Sequence, residues 1–409
     1  MDSTGRGRFA LVIASAFSVQ ALAGLSPEGQ VRLDEFLDTY VAEGKIPGAV
    51  LQVTLDGRTA YHRAVGFRDR RANSTMQPDT IFRIASMSKP VTSAAVLMLQ
   101  EREALAIGQP VGDFLPEYRS TTVATAVEGG DYEIVDSVRP ITIRDLLTHT
   151  AGIGYGNGLA AAEWQAAGLD GGYFGRRDEP VREIVRRIAR LPMDAQPGTF
   201  VYGYGTDILG ALVEVASGES LDVFLEAEIF GPLGMADTSF DLSSDKAERL
   251  AAMYTRYGEH RMGRLVDYSG HYVGGRTVSY SGGAGLLSTT DDYTRFLEAI
   301  RQGGGGILSR ESVELMTTDQ LGDDIPWMPG HGFGLGFGIL RDIDRDGRPS
   351  TIEFHWDGSY HTMFWVDPVE KLTVVYMAQL RRAIGLDDFR RIRALIYQAL
   401  TRRKQSRQR

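Results

Sequence analysis

The rhythm of apolar and polar positions changes twice along the chain. Residues 49–55 and 59–65 are rich in β-branched and aliphatic side chains and flank Asp56-Gly57, a pair suited to a type I′ turn, so the spacing predicts a β-hairpin. Toward the other end, residues 333–340, 352–356, 363–366 and 372–377 read as further strands with short Gly, Asp or Pro connections. Between them the periodicity is helical, at 91–103, 143–147, 181–189, 207–216 and 221–230. A last helix, 386–400, places Phe389, Ile392, Ile396 and Ala399 on one face. Strands, then helices, then strands predict an α+β fold. An antiparallel sheet domain flanked by helices is built from both chain ends, 25–80 and 275–400, with a mostly helical domain inserted at 81–274.

The termini read differently. Arg6 and Arg8 precede an apolar run at 9–17, and Ala21-Leu22-Ala23 has the small-x-small form of a cleavage site. Residues 1–23 therefore read as a signal peptide, with a periplasmic or secreted product, or as an ordinary leader on a cytoplasmic one; Asp2, Ser15, Ser18 and Gln20 speak for the leader. The basic tail at 401–409 reads as a solvated terminus. No stretch approaches the ~20 apolar residues of a transmembrane span.

Composition narrows the chemistry. The chain has 53 acidic residues against 44 Lys and Arg, a net charge of -9, which argues against nucleic acid as a partner. It has no Cys, so disulfides, thiolate-bound zinc and thiol catalysis are excluded. Its seven His show no paired ligand spacing, so neither a metal nor a cofactor is expected. Only five lysines occur, and one of them, Lys89, lies in an apolar setting.

That lysine closes the stretch Ile81-Phe82-Arg83-Ile84-Ala85-Ser86-Met87-Ser88-Lys89-Pro90. Pro90 is tolerated only near a helix start, and the residues after it are apolar on every side, so Ser86 and Lys89 sit one turn apart at the head of a buried helix. A serine hydroxyl needs a base to become a nucleophile. A desolvated lysine can serve, because burial lowers an amine's pKa, whereas arginine stays protonated. Ser-x-x-Lys alone is weak: Ser243-Ser244-Asp245-Lys246 fits it too, but in a polar run where a lysine keeps its proton.

The longer stretch resembles the nucleophile motif of the serine β-lactamase and penicillin-binding protein superfamily, closest to the class C-like branch that includes family VIII carboxylesterases. Ile46-Pro47-Gly48-Ala49, the segment 143–152, Pro232-Leu233-Gly234-Met235, the segment 283–289 and Gly332-Phe333-Gly334-Leu335-Gly336 extend the likeness over roughly residues 30–380. It implies a β-lactamase/transpeptidase-like fold with the active site in the cleft between sheet and helices. It also implies that Tyr202 takes the place of the family's Tyr-x-Asn tyrosine, with Tyr204 where Asn is expected and counted as a substrate-binding candidate. Trp356-Asp357-Gly358 stands where many relatives carry Lys-Thr-Gly, so these three residues are further substrate-binding candidates and a cation for a β-lactam carboxylate is missing. By the same resemblance the N–H groups of Ser86 and Ser359 form an oxyanion hole. His149 is expected to make structural hydrogen bonds, and Trp327, Tyr360 and Phe364 either line an acyl pocket or pack.

The sequence thus leads to a serine hydrolase working through an acyl-enzyme, with Ser86, Lys89 and Tyr202 as catalytic residues and a short-chain carboxylic ester as the small-molecule substrate. The alternatives are a β-lactamase or D-amino-peptide hydrolase, an acyltransferase, and a non-catalytic penicillin-binding-like scaffold.

Overall fold

The computed structural model describes residues 24–401 except 170, 172, 175, 176, 259, 260, 266–271, 276 and 344–348. The leader expected at 1–23 and all but the first residue of the basic tail lie outside the described residues. Eight strands form one sheet: β1 (Gly48–Leu55), β2 (Arg58–Asp69), β3 (Ser74–Thr75), β4 (His331–Phe333), β5 (Gly338–Ile343), β6 (Pro349–Gly358), β7 (Thr362–Asp367) and β8 (Leu372–Ala378). Their order is β4-β5-β6-β7-β8-β1-β2-β3, antiparallel at every pairing. The β8–β1 pairing joins the two ends of the chain, as the sequence pattern predicts.

At the β1–β2 turn, Asp56 and Gly57 have φ of 51° and 78°, the left-handed pair a type I′ turn requires. β1 is buried along its whole length, so both faces of the sheet need cover. Side chains alternate across the strand: Leu51 and Val53 pack with Val374 and Tyr376 in one core, while Val50 joins Val375 and Met377 in the other. Five helices matter for the site: α1 (Pro27–Ala42), α2 (Ser88–Glu101), α3 (Gly205–Ser217), α4 (Thr290–Arg301) and α5 (Asp388–Ala399). Helices α1 and α5 cover the first face, and α2, α3 and α4 belong to the core on the second. No helix among the described residues is long and apolar enough to cross a membrane.

One local expectation needs correction. The strand expected at 333–340 is two, β4 and β5, because the chain turns at Gly334 to Phe337. Gly336 has a φ of 101°, and a Cβ on it would lie 2.6 Å from the Ser93 hydroxyl on α2. Close approach to the buried helix, not local propensity, breaks the strand. The segment between sheet contributions also carries a hairpin, Thr122–Ala126 with Tyr132–Asp136, beside its helices.

Candidate active site

The site is built where α2 starts. Ala85–Met87 form one 3₁₀ turn that runs straight into α2, and Ala85 holds a φ of 47°. That conformation costs a non-glycine residue about 1–2 kcal/mol, and its neighbours hold it in place. The Ile84 N–H donates to the Leu286 carbonyl, and the Ile84 carbonyl accepts from Met87 N–H and from the Thr362 hydroxyl. The strained turn sets Ser86 at the mouth of a helix whose first twelve residues are all buried.

Ser86 is 5% exposed and Lys89 2%. Lys89 Nζ lies 3.3 Å from Ser86 Oγ, 3.2 Å from Tyr155 Oη and 2.8 Å from the Gly283 carbonyl. It also sits 4.8 Å from the centroid of the Tyr202 ring. As an ammonium the group donates to all three oxygens; as a neutral amine it can take the serine proton. The Gly283 contact is held from behind by Asp207 on α3, which accepts hydrogen bonds from the Ser281 hydroxyl (2.5 Å) and Gly283 N–H (3.2 Å). Burial raises the Asp207 carboxyl pKa, while the Lys89 charge and these donors pull the other way.

Tyr202 faces the same lysine from an aromatic wall. Trp356 Nε1 donates to Tyr202 Oη at 3.3 Å, and the Trp356 ring lies 5.4 Å from that of Tyr202. Trp327, Phe333 and Phe200 continue the wall with centroid spacings of 5.2–5.7 Å. The two tyrosines of the Tyr-x-Tyr segment part in space. Tyr204 is 1% exposed, stacked on Phe174 and Trp164, so it has no face to offer a substrate and its assignment as a substrate-binding residue is corrected to core packing. The phenol beside Lys89 that the sequence did not single out is Tyr155. Burial, followed by the Tyr202 and Asp207 charges, pushes its pKa well up, and its hydroxyl accepts a hydrogen bond from Lys89 Nζ.

The sheet meets the nucleophile turn at the end of β6. Gly358 is required there: a Cβ would lie 2.3 Å from the Ile84 carbonyl and equally close to the Thr362 hydroxyl. That contact brings Ser359, next along the chain, beside the segment that carries Ser86. The exposed Ser359 hydroxyl accepts from Tyr173 Oη at 2.7 Å. Asp357 is exposed; crowding by protein raises its pKa, against the His361 and Lys89 charges.

His149 does not make the side-chain hydrogen bonds expected of it. Its Nδ1 is buried without a partner, and its ring packs edge-on to Tyr202 and Phe333. Burial, then the Lys89 charge, hold its pKa well below the usual value, so it stays neutral and adds no second positive charge. Phe364 is core, between Tyr293 and Phe337. At the second Ser-x-x-Lys match, Lys246 donates to the Ala236 carbonyl and pairs with Asp237, and its side chain is 29% exposed.

The beta-lactamase family profile matches residues 33–399. Esterase EstB of Burkholderia gladioli is 35% identical over 89% of this chain and 92% of its own. The lovastatin esterase of Penicillium rubens is 27% identical over 88% of this chain and 99% of its own. Among solved structures, EstCE1, described as a hydrolase with promiscuous acyltransferase activity, superposes with a TM-score of 0.76 at 25% identity, covering 90% of this chain and 99% of its own.

Proposed function

The chain belongs to the beta-lactamase family, and from that premise we propose that it is a serine carboxylesterase acting on short-chain esters through an acyl-enzyme. The observation that carries the reading is a lysine withdrawn from solvent within 3.3 Å of a serine hydroxyl, facing an aromatic wall where a β-lactam would need a cation. The esterase relatives support it.

Ser86 Oγ attacks the ester carbonyl as Lys89 takes its proton. The carbonyl oxygen, now negative, is met by the N–H groups of Ser86 and Ser359. Collapse breaks the bond to the alcohol oxygen, which takes the proton through Tyr202, whose hydroxyl Trp356 fixes in place. Water then repeats the sequence on the acyl-enzyme, releasing the carboxylic acid and restoring Ser86. An alcohol in place of water would make the second half-reaction an acyl transfer, and EstCE1 is a hydrolase with promiscuous acyltransferase activity.

Tyr202→Phe is expected to reduce kcat by at least ~10²-fold, the low end of general acid–base contributions. Tyr155→Phe, which removes an orienting contact, costs about 10-fold or less, and Tyr204→Phe costs less still. Steady-state rates on one ester with folding checked by circular dichroism rank the three. A larger loss in Tyr155→Phe than in Tyr202→Phe would exchange their roles.

Substrate class is tested by comparing p-nitrophenyl butyrate with nitrocefin, each kcat/KM divided by its own uncatalysed hydrolysis rate. A β-lactam carries a carboxylate, and a charge-assisted hydrogen bond to it contributes about 1.5–3 kcal/mol. With Trp356 in the cationic place and Asp357 beside it, that contribution is absent or reversed. The ester should lead by at least ~10-fold, the factor equal to about 1.4 kcal/mol. Nitrocefin ahead after that correction would replace the esterase reading with the β-lactamase one.

A further inference from the structure

We propose that His361 is a positioning residue for the reaction: its buried hydrogen bond to Asp388 holds the β6–β7 turn in the shape that presents the Ser359 N–H to the oxyanion. This assignment rests on the esterase reading above.

The turn is three residues long. Gly358 and Thr362 close the β6–β7 ladder, and Ser359, Tyr360 and His361 connect them. Three-residue hairpin loops commonly end on a residue in the left-handed conformation, a place that suits glycine. Here that residue is His361, with a φ of 69°. Its N–H returns to the Gly358 carbonyl at 2.9 Å, its carbonyl accepts from Ala378 N–H, and the Tyr360 carbonyl accepts from Leu380 N–H. The turn is thus tied down on the side of β8. Among the described residues the Ser359 N–H donates to no protein acceptor, as an oxyanion donor requires.

The His361 side chain accounts for the departure from glycine. Its Nε2 donates to Asp388 Oδ2 at 2.7 Å, and its ring stacks on Phe389 with centroids 4.5 Å apart. Tyr376 Oη donates to the same carboxylate oxygen at 2.9 Å. Asp388 is 1% exposed and its other oxygen is buried without a partner, so among the described residues His361 and Tyr376 are its side-chain donors. A buried carboxylate holds such donors firmly, because water cannot replace them.

This anchor comes from behind the sheet. Asp388 opens α5, which covers the face away from α2, and the start of a helix favours a carboxylate. On the other side Thr362, next after His361, donates to the Ile84 carbonyl in the segment that carries Ser86. The turn is therefore fixed between α5 and the nucleophile segment. An oxyanion donor stabilises the transition state only where it is aimed in advance, and a misplacement of about 1 Å can cost ~10²-fold in rate.

The test uses wild type, His361→Gly, His361→Asn and His361→Gln. It measures kcat and KM for p-nitrophenyl butyrate and the inhibition constant of an alkyl trifluoromethyl ketone. With the ketone, Ser86 Oγ bonds to the carbonyl carbon, the carbonyl π pair moves to oxygen, and the serine proton passes to Lys89. Its binding therefore reads the oxyanion contact without turnover. Glycine and asparagine both adopt the left-handed backbone and are too short to reach Asp388, whereas glutamine keeps a donor at the right length. His361→Gly and His361→Asn should lower kcat by at least ~10-fold and leave KM within about 3-fold, the pattern of a contact made in the transition state. The ketone should weaken by the same factor as kcat, and His361→Gln should recover most of both losses. His361→Asn keeps the test decisive if His361→Gly fails to fold. Wild-type kcat in a folded short variant, a loss carried by KM with ketone binding unchanged, or a loss in His361→Gln equal to that in His361→Gly overturns the assignment. A wild-type enzyme that hydrolyses no ester refutes the esterase reading instead.

Discussion

Replacing Ser86 by Ala should lower kcat for p-nitrophenyl butyrate by about 10⁴-fold or more, the scale on which acyl enzymes respond to loss of the nucleophile. Ser243→Ala should leave it within about 2-fold, as surface substitutions generally do. Both serines precede a lysine by three residues, so the pair isolates what the fold adds. Lys89 is 2% exposed and reaches Ser86 Oγ at 3.3 Å. Lys246 instead spends its ammonium on Asp237 and the Ala236 carbonyl near solvent. Ser86→Ala removes one hydroxyl from a small buried residue and Ser243→Ala one from an exposed residue, so thermal unfolding should shift little in either variant. Comparable activity losses in both variants, with both folded, would contradict the assignment.

Lys89→Arg should cost at least ~10²-fold in kcat/KM, because the guanidinium keeps the charge but cannot accept the serine proton. The loss should persist at alkaline pH, since no accessible pH deprotonates arginine. A Lys89→Met variant separates charge from chemistry. It removes the ammonium that faces Asp207 and Gly283, and should lose activity to the same extent while tolerating burial better. If Lys89→Arg retained rates within about 3-fold of wild type, well under the usual general-base contribution, Lys89 would be a structural cation and another group would have to activate Ser86.

The parts of this molecule that were legible in the sequence are those written in local pattern. Period-two runs around Asp56-Gly57 identified the β1–β2 hairpin, and the apolar stretch after Pro90 placed Ser86 and Lys89 at the start of a buried helix. Helices α1 and α4 were missed although each carries an apolar stripe, Leu33, Phe36, Leu37 and Tyr40 in α1 and Tyr293, Phe296, Leu297 and Ile300 in α4, and although Ser26 before Pro27 and Thr289 before Asp291-Asp292 carry the capping signals of a helix start. The break between β4 and β5 depends on Ser93, far away in the chain, and no local pattern records it. The same holds for the partners of Lys89: Tyr155 and Gly283 are 66 and 194 residues distant along the chain. Tyr202 and Tyr204 could be ordered by resemblance, but only packing shows that Tyr204 is walled in by Phe174 and Trp164.

The central claim is that one serine carries the acyl group. A fluorophosphonate tests it directly, since attack by an activated hydroxyl forms a phosphorus–oxygen bond, expels fluoride and leaves an adduct that water does not clear. Peptide mass spectrometry after partial inactivation should find the phosphonyl group on Ser86, in proportion to the p-nitrophenyl butyrate activity lost, and no label on Ser243. Full loss of activity with Ser86 unmodified, or undiminished hydrolysis with Ser86 fully modified, would contradict it.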